Sequence, residues 1–126
     1  MLKLLYISIG AVIGALLRYY ISGLTSTKKL FIMPIGTIII NVSGCLVFGF
    51  LFAITEKFEI APQIRSAVFI GVLGSFTTFS TFAYEAFEMI REKEFLFAML
   101  YIAISIIGGL VAFILAYMLS KVIFKV

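Results

Sequence analysis

Apolar residues run through the chain in four long blocks, with charged residues gathered between them. The blocks cover about 4–21, 34–55, 64–90 and 95–120. Each is close to the roughly 20 apolar residues that an α-helix needs to cross the hydrocarbon core. The connections at 22–33, 56–63 and 91–94 are short. They leave room for neither a catalytic domain nor the long external loops of a barrel. Pro34 and Pro62 open the second and third blocks, where a missing backbone N–H has no cost. The pattern predicts an all-α integral membrane protein, with one transmembrane domain of four helices over 1–126.

Composition sharpens this reading. Of 126 residues, 63% are hydrophobic and 13% charged, about half the charge of an ordinary soluble domain. The apolar run after Lys3 continues to Leu17 with no small-x-small cleavage site, so a span is expected there and not a signal peptide. Cys45 is the single cysteine and there is no histidine. No intrachain disulfide is possible, and zinc or iron chemistry has no ligand set. The net charge is +4. Basic residues beside membrane spans meet lipid headgroups, so lipid is the expected partner and nucleic acid is not.

The distribution of that charge is unusual. Lys3, Lys57, Arg65, Lys121 and Lys125 fall on the side shared by both termini and the second connection. Arg18, Lys28, Lys29, Arg91 and Lys93 fall on the other. Orientation follows the difference between such counts, and here the count is five against five. The chain is therefore expected to insert both ways up, which permits a closed antiparallel homodimer. Small residues recur at four-residue spacing at Gly10 and Gly14, Ala11 and Ala15, Ala67 and Gly71, Ser105 and Gly109, and Ala112 and Ala116. Such spacing lets helices approach closely in lipid.

The third block holds the densest chemistry. From Gly71 to Phe82 it reads Gly-Val-Leu-Gly-Ser-Phe-Thr-Thr-Phe-Ser-Thr-Phe. Gly71, Gly74 and Ser75 weaken the helix before Thr77. A break there frees backbone carbonyls at mid-membrane, which is tolerated only where partners or a cavity satisfy them. Carbonyls at the end of a half-helix can coordinate Na⁺. Phe79 and Phe82 share a helical face, and an aromatic edge is partly positive, so a ring pair can solvate an anion without trapping it. Asn41 sits mid-span in the second block, with Thr37 one turn before it. Tyr101 and Ser105 form a similar pair in the fourth, and Ser80 and Thr81 complete the polar set. Single hydroxyls of this kind also serve helix-to-helix or helix-to-backbone hydrogen bonds. Arg18 is the one cation within a span; it either snorkels to the interface or lines an anion vestibule. Glu85 follows Thr81 by one turn, close enough to hydrogen-bond, and Glu88 is expected at the interface.

These motifs resemble the Fluc (CrcB-type) fluoride channels of microbes. The string from Gly71 to Phe82 is similar to that family's third-helix signature. Gly14-Ala-Leu-Leu-Arg18-Tyr and Gly36-Thr37-Ile-Ile-Ile-Asn41 resemble its first- and second-helix motifs. The resemblance spans the whole chain in length, span number and motif order. It implies an antiparallel, dual-topology homodimer in the cell membrane with two pores. The expected function is passive, fluoride-selective export that confers fluoride resistance, and not enzyme activity. It further implies a non-transported structural Na⁺ on the dimer axis, held by the backbone carbonyls of Gly74 and Thr77. The fluoride path would take in Asn41, Phe79, Phe82, Ser80, Thr81, Thr37, Tyr101 and Ser105, with Arg18 in a vestibule. The chain departs from the pattern at Ser75, where relatives tend to carry glycine, and at Gly109 and Phe113, where hydroxyls are expected. Two other readings stand beside this one. A proton-coupled exporter of small cations would also be a four-helix, dual-topology dimer, but it needs a membrane carboxylate that trades protons. A non-conducting scaffold subunit would leave Asn41 and the hydroxyl–phenylalanine cluster without a purpose.

Overall fold

A computed structural model describes residues 1–25, 29, 30 and 32–125. The first helix, α1, spans Leu2–Thr25. A small antiparallel ladder follows, pairing β1 (Lys29–Leu30) with β2 (Met33–Pro34) so that Leu30 faces Met33 and Lys29 faces Pro34. The connection at 22–33 is thus not the plain linker the sequence suggests, although Lys28 lies outside the described residues. Pro34 itself is extended, at φ −75° and ψ 108°. It therefore precedes the second helix, α2 (Ile35–Lys57), as the last extended residue.

The third span covers Pro62–Arg91 and is not one regular helix. It begins as α3 (Pro62–Ser66), widens into a π-helical stretch over Ala67–Leu73, and tightens again as α4 (Gly74–Phe76). After a two-residue interruption it resumes as α5 (Phe79–Arg91). The interruption is one step later than the glycines suggest. Gly74 keeps helical angles, φ −65° and ψ −31°, and Ser75 Oγ donates to the Gly71 carbonyl at 2.6 Å. The chain leaves the helix at Thr77 (φ −76°, ψ 158°) and Thr78 (φ −145°, ψ 123°). Both are β-branched residues that sit readily in extended backbone. A tight turn with Lys93 in the left-handed region then leads to α6 (Phe95–Phe124).

All four spans run past the expected limits, with α6 reaching Phe124 instead of 120. Hydrophobic length marks the hydrocarbon core alone, whereas backbone hydrogen bonding continues into the headgroup layer. The helices pack as two parallel pairs. Cys45 lies against Gly109 and Gly49 against the Phe113 backbone, so α2 and α6 ascend together. Gly10 lies against Ala67 and Val72, and Gly14 against Val72 and Phe76, so α1 ascends with the π-helical stretch and α4. A methyl group at Gly10, Gly14 or Gly49 would overlap a backbone carbonyl of the facing helix. The small-residue spacing is therefore used for close backbone approach, as packing in lipid requires. Ala15 is the exception, since it faces outward.

At one end, Phe82, Ala86 and Met89 of α5 pack with Ala98 and Tyr101 of α6 and with Met33 of β2. At the other, the last turn of α2 grips that of α6. Lys57 Nζ donates to the carbonyls of Phe124 and Lys125, as a cation suits a helix C-terminus. Glu56 accepts from Tyr117 at 2.8 Å and lies 3.8 Å from Lys121. The second clasp fixes the register of α2 beside α6.

Candidate functional site

The interruption between α4 and α5 creates a specific polar problem. Helix ends leave backbone donors and acceptors unpaired, and lipid offers no replacement. Asn41 of α2 answers most of it. Its Oδ1 accepts from the Thr78 N–H at 2.8 Å, and its Nδ2 donates to the Thr78 carbonyl at 3.0 Å. One side-chain amide thus pairs with both backbone groups of one residue, as a neighbouring strand would. Thr78 also caps α5: its Oγ1 accepts from the Thr81 N–H at 3.3 Å and lies 3.0 Å from Thr81 Oγ1. Such a cap is worth roughly 1 kcal/mol. On the α4 side, the Thr77 N–H and hydroxyl both donate to the Leu73 carbonyl, at 3.1 and 3.0 Å.

These bonds have a consequence for two carbonyls. In an unbroken helix Gly74 would accept from the Thr78 N–H, and Thr77 from the Thr81 N–H. Both donors are diverted, to Asn41 and to the Thr78 hydroxyl. The Gly74 and Thr77 carbonyls therefore stand outside the helical ladder. Arg18 of α1 reaches this point as well, with Nη1 donating to the Thr77 carbonyl over a long 3.4 Å. Its guanidinium is thus directed at the interruption.

The phenylalanine pair sits on the first turn of α5. The ring centroids of Phe79 and Phe82 are 5.6 Å apart, with planes tilted by 48°. Their surroundings differ sharply. Phe82 is buried, with its ring 5.4 Å from that of Tyr101. Phe79 is 77% exposed, and Ser80 and Thr81 are exposed beside it. A cavity of about 280 Å³ brings Asn41, Thr77, Thr78 and Phe79 together with Gly44, Cys45, Phe48 and Phe113.

Thr37 and Tyr101 form a second cluster, one turn of α2 away from Asn41. Both donate to Glu85, Thr37 to Oε1 at 2.9 Å and Tyr101 to Oε2 at 2.5 Å. Glu85 thus bonds across to α2 and α6, and the Thr81 hydroxyl faces Thr78 in place of the Glu85 contact its spacing suggested. Glu88 pairs with Arg91 at 2.5 Å near the end of the span. Ser105 is buried, and its hydroxyl has no hydrogen-bond partner among the described residues. The sequence signalled Glu85 only as a carboxylate within a span, a rare and costly placement. Nothing local in it indicated Thr37 and Tyr101 as its partners, which come from two other helices. No group of three or more acidic, cysteine or histidine side chains suited to a metal occurs among the described residues.

Four membrane-crossing helices arranged about a clamped interruption of the third define a compact multi-pass membrane protein, whose polar centre joins backbone, amide and hydroxyl groups to Arg18 and Glu85. The chain belongs to the CrcB-like family: the family model described as "CrcB-like protein, Camphor Resistance (CrcB)" matches residues 5–117. It is similar to the fluoride-specific ion channel FluC of Methanococcus aeolicus, 38% identical over 125 residues, which are 99% of this chain and 100% of that one. It is similar also to the FluC proteins of Nitrosococcus oceani, 40% identical over 96% of this chain and 98% of that one, and of Trichormus variabilis, 37% identical over 91% and 85%. Its place is the cell membrane. It is not an enzyme, since the proteins it matches are channels by name.

Proposed function

We propose that two copies of this chain, packed antiparallel, form a channel that conducts fluoride selectively and passively out of the cell. The observation that carries the reading is the Asn41–Thr78 clamp beside the Phe79–Phe82 pair, in a chain whose relatives are named fluoride-specific channels. A carboxamide has four hydrogen-bonding sites, and Thr78 takes one donor and one acceptor. The remaining Nδ2 hydrogen is a donor aimed at mid-membrane chemistry. Ring edges at Phe79 and Phe82 and hydroxyls at Ser80, Thr81 and Ser105 add weak, uncharged contacts to an anion. Conduction needs such sites, attractive enough to admit the ion and weak enough to release it. Thr37 and Tyr101, fixed on Glu85, continue the polar line between α2 and α6, while Arg18 raises the local potential for an anion near the interruption.

The antiparallel partner is supported by two features. Phe79, Ser80 and Thr81 face outward from the single chain, where lipid offers the Ser80 hydroxyl no partner. The equal basic counts permit a copy of opposite orientation to cover that flank. The Gly74 and Thr77 carbonyls fit a structural Na⁺: they are hard oxygen donors, free of the helical ladder, and doubled by the second copy. A carbonyl has two lone pairs, so the long Arg18 contact leaves Thr77 one to offer. Such an ion, when bound, would hold two interrupted spans together at their weakest point.

Fluoride enters acidified cells as neutral HF and dissociates inside. A passive pore then lets the membrane potential expel the anion. At 100 mV the drive is about 2.3 kcal/mol per charge, a concentration ratio of nearly fifty. The exporter reading needs a carboxylate free to trade protons, whereas Glu85 is engaged by both Thr37 and Tyr101. Expression of the chain in cells stripped of fluoride export should restore growth in fluoride medium. Growth no better than that of cells carrying an empty vector would count against export.

A further inference from the structure

We infer that the anion reaches the site through three cavities in series, entering at Arg65 and passing the ring of Phe48, which is the barrier before Asn41. The inference deepens the channel reading by naming the route and rests on it. The outermost, an open pocket of about 370 Å³, lies among Thr55, Glu56, Lys57, Glu59 and Arg65 at the end of α2. The middle one, about 250 Å³, is bounded by Phe48, Phe52, Arg65, Ser66 and Phe69. The innermost is the cavity of about 280 Å³ that holds Asn41, Thr77 and Phe79. Arg65 is the one residue shared by the outer and middle cavities, and Phe48 the one shared by the middle and inner.

The chemistry of the two shared residues suits this order. Arg65 is exposed and forms no ion pair among the described residues. Of the charges around it, Glu56 is held by Tyr117 and Lys121, and Lys57 caps α6. Glu59 is the opposing charge without such a partner. Phe48 stands about 10 Å, two helical turns, beyond Asn41 on α2. Its ring lies 4.8 Å from that of Phe69 and 5.8 Å from that of Phe113. The contact is ring against ring with no hydrogen bond to hold it. A rotation of one side chain therefore joins the middle and inner cavities, while the helices stay in place. An aromatic barrier of this kind passes a small ion on side-chain motion and keeps lipid and larger solutes out.

The single cysteine reports on the route. Cys45 lines the inner cavity, and it lies behind Phe48 once the second copy covers the exposed Phe79 side. The purified protein in liposomes is treated with a small anionic or a small cationic methanethiosulfonate, and modification of Cys45 is followed by mass, without reference to flux. Thiol modification follows access, so Phe48→Ala should speed labelling by roughly tenfold. Phe52→Ala, which opens only the middle cavity, should leave it near the wild-type rate. Arg65→Glu should slow the anionic reagent and speed the cationic one, as local steering by charge requires. Should Phe48→Ala fail to assemble, Phe48→Leu keeps an apolar side chain there and should move the rate in the same direction. Wild-type labelling in the Phe48 variants, or an equal change with both reagents in Arg65→Glu, would overturn the route. Absence of fluoride flux in the wild type would instead sink the channel reading and leave the labelling result standing.

Discussion

Asn41 is the residue on which the local structure turns. Its amide supplies both partners that the Thr78 backbone loses when the helix stops. Asn41→Ala should therefore leave a buried N–H and C=O unpaired, at a cost of about 1–3 kcal/mol for each such group. A thermal-unfolding series in detergent should show a lowered midpoint together with lost flux. An unchanged midpoint would mean that the clamp contributes nothing. Phe79 and Phe82 separate the conduction role from the structural one, because one is 77% exposed and the other buried. Phe79→Ile and Phe82→Ile should each cut fluoride flux with the assembly intact by size-exclusion chromatography. Of the two, Phe82→Ile should also lower stability, since its ring packs on Tyr101. Wild-type flux in both variants would remove the rings from the path. A buried amide among apolar residues was legible in the sequence as a group in need of partners. Its bond to Thr78, 37 positions away, was not, since periodicity says which residues share a face and nothing about what that face meets. Glu85 was hidden for the same reason: its ties to Thr37 and Tyr101 depend on how three helices meet.

At the scale of elements, the third span joins two unlike halves. The half before Thr77 is wound and packed against α1 through Gly10, Gly14 and Gly71. The half after Thr78 is capped by a threonine hydroxyl and packed against α6. The existence and order of the four spans were readable from hydrophobic length alone. The interruption was readable only approximately, because glycine lowers helix propensity without dictating where the helix ends. Its place is set by Thr77 and Thr78, whose extended backbone Asn41 rewards with hydrogen bonds. The β1–β2 ladder escaped the sequence altogether, as two-residue strands have no period to detect. A direct test of the close α1 packing is Gly14→Ala. The added methyl would meet the Val72 carbonyl, and overpacking of this kind costs about 1–3 kcal/mol. The variant should purify poorly or unfold earlier, while the control Gly23→Ala, whose added methyl meets no atom of the described residues within 4 Å, should behave as wild type. Equal stability of the two would mean that the helices can separate without loss.

For the whole molecule, the proposed channel joins two functions at one interruption: carbonyls at Gly74 and Thr77 for a cation at the contact of two copies, and Asn41, Phe79 and Phe82 for an anion. Exchange of Na⁺ for a large organic cation should abolish conduction and weaken the dimer, and restored Na⁺ should recover both. Full activity after prolonged exchange would argue against the cation site. The central claim is that this polar centre passes fluoride and rejects chloride. Liposomes carrying the purified protein and loaded with both anions, followed together with fluoride and chloride electrodes after a K⁺ ionophore sets the potential, test it most directly. A fluoride-selective channel should give rapid fluoride efflux with chloride retained, and equal rates for the two ions, or none for fluoride, would contradict that selectivity.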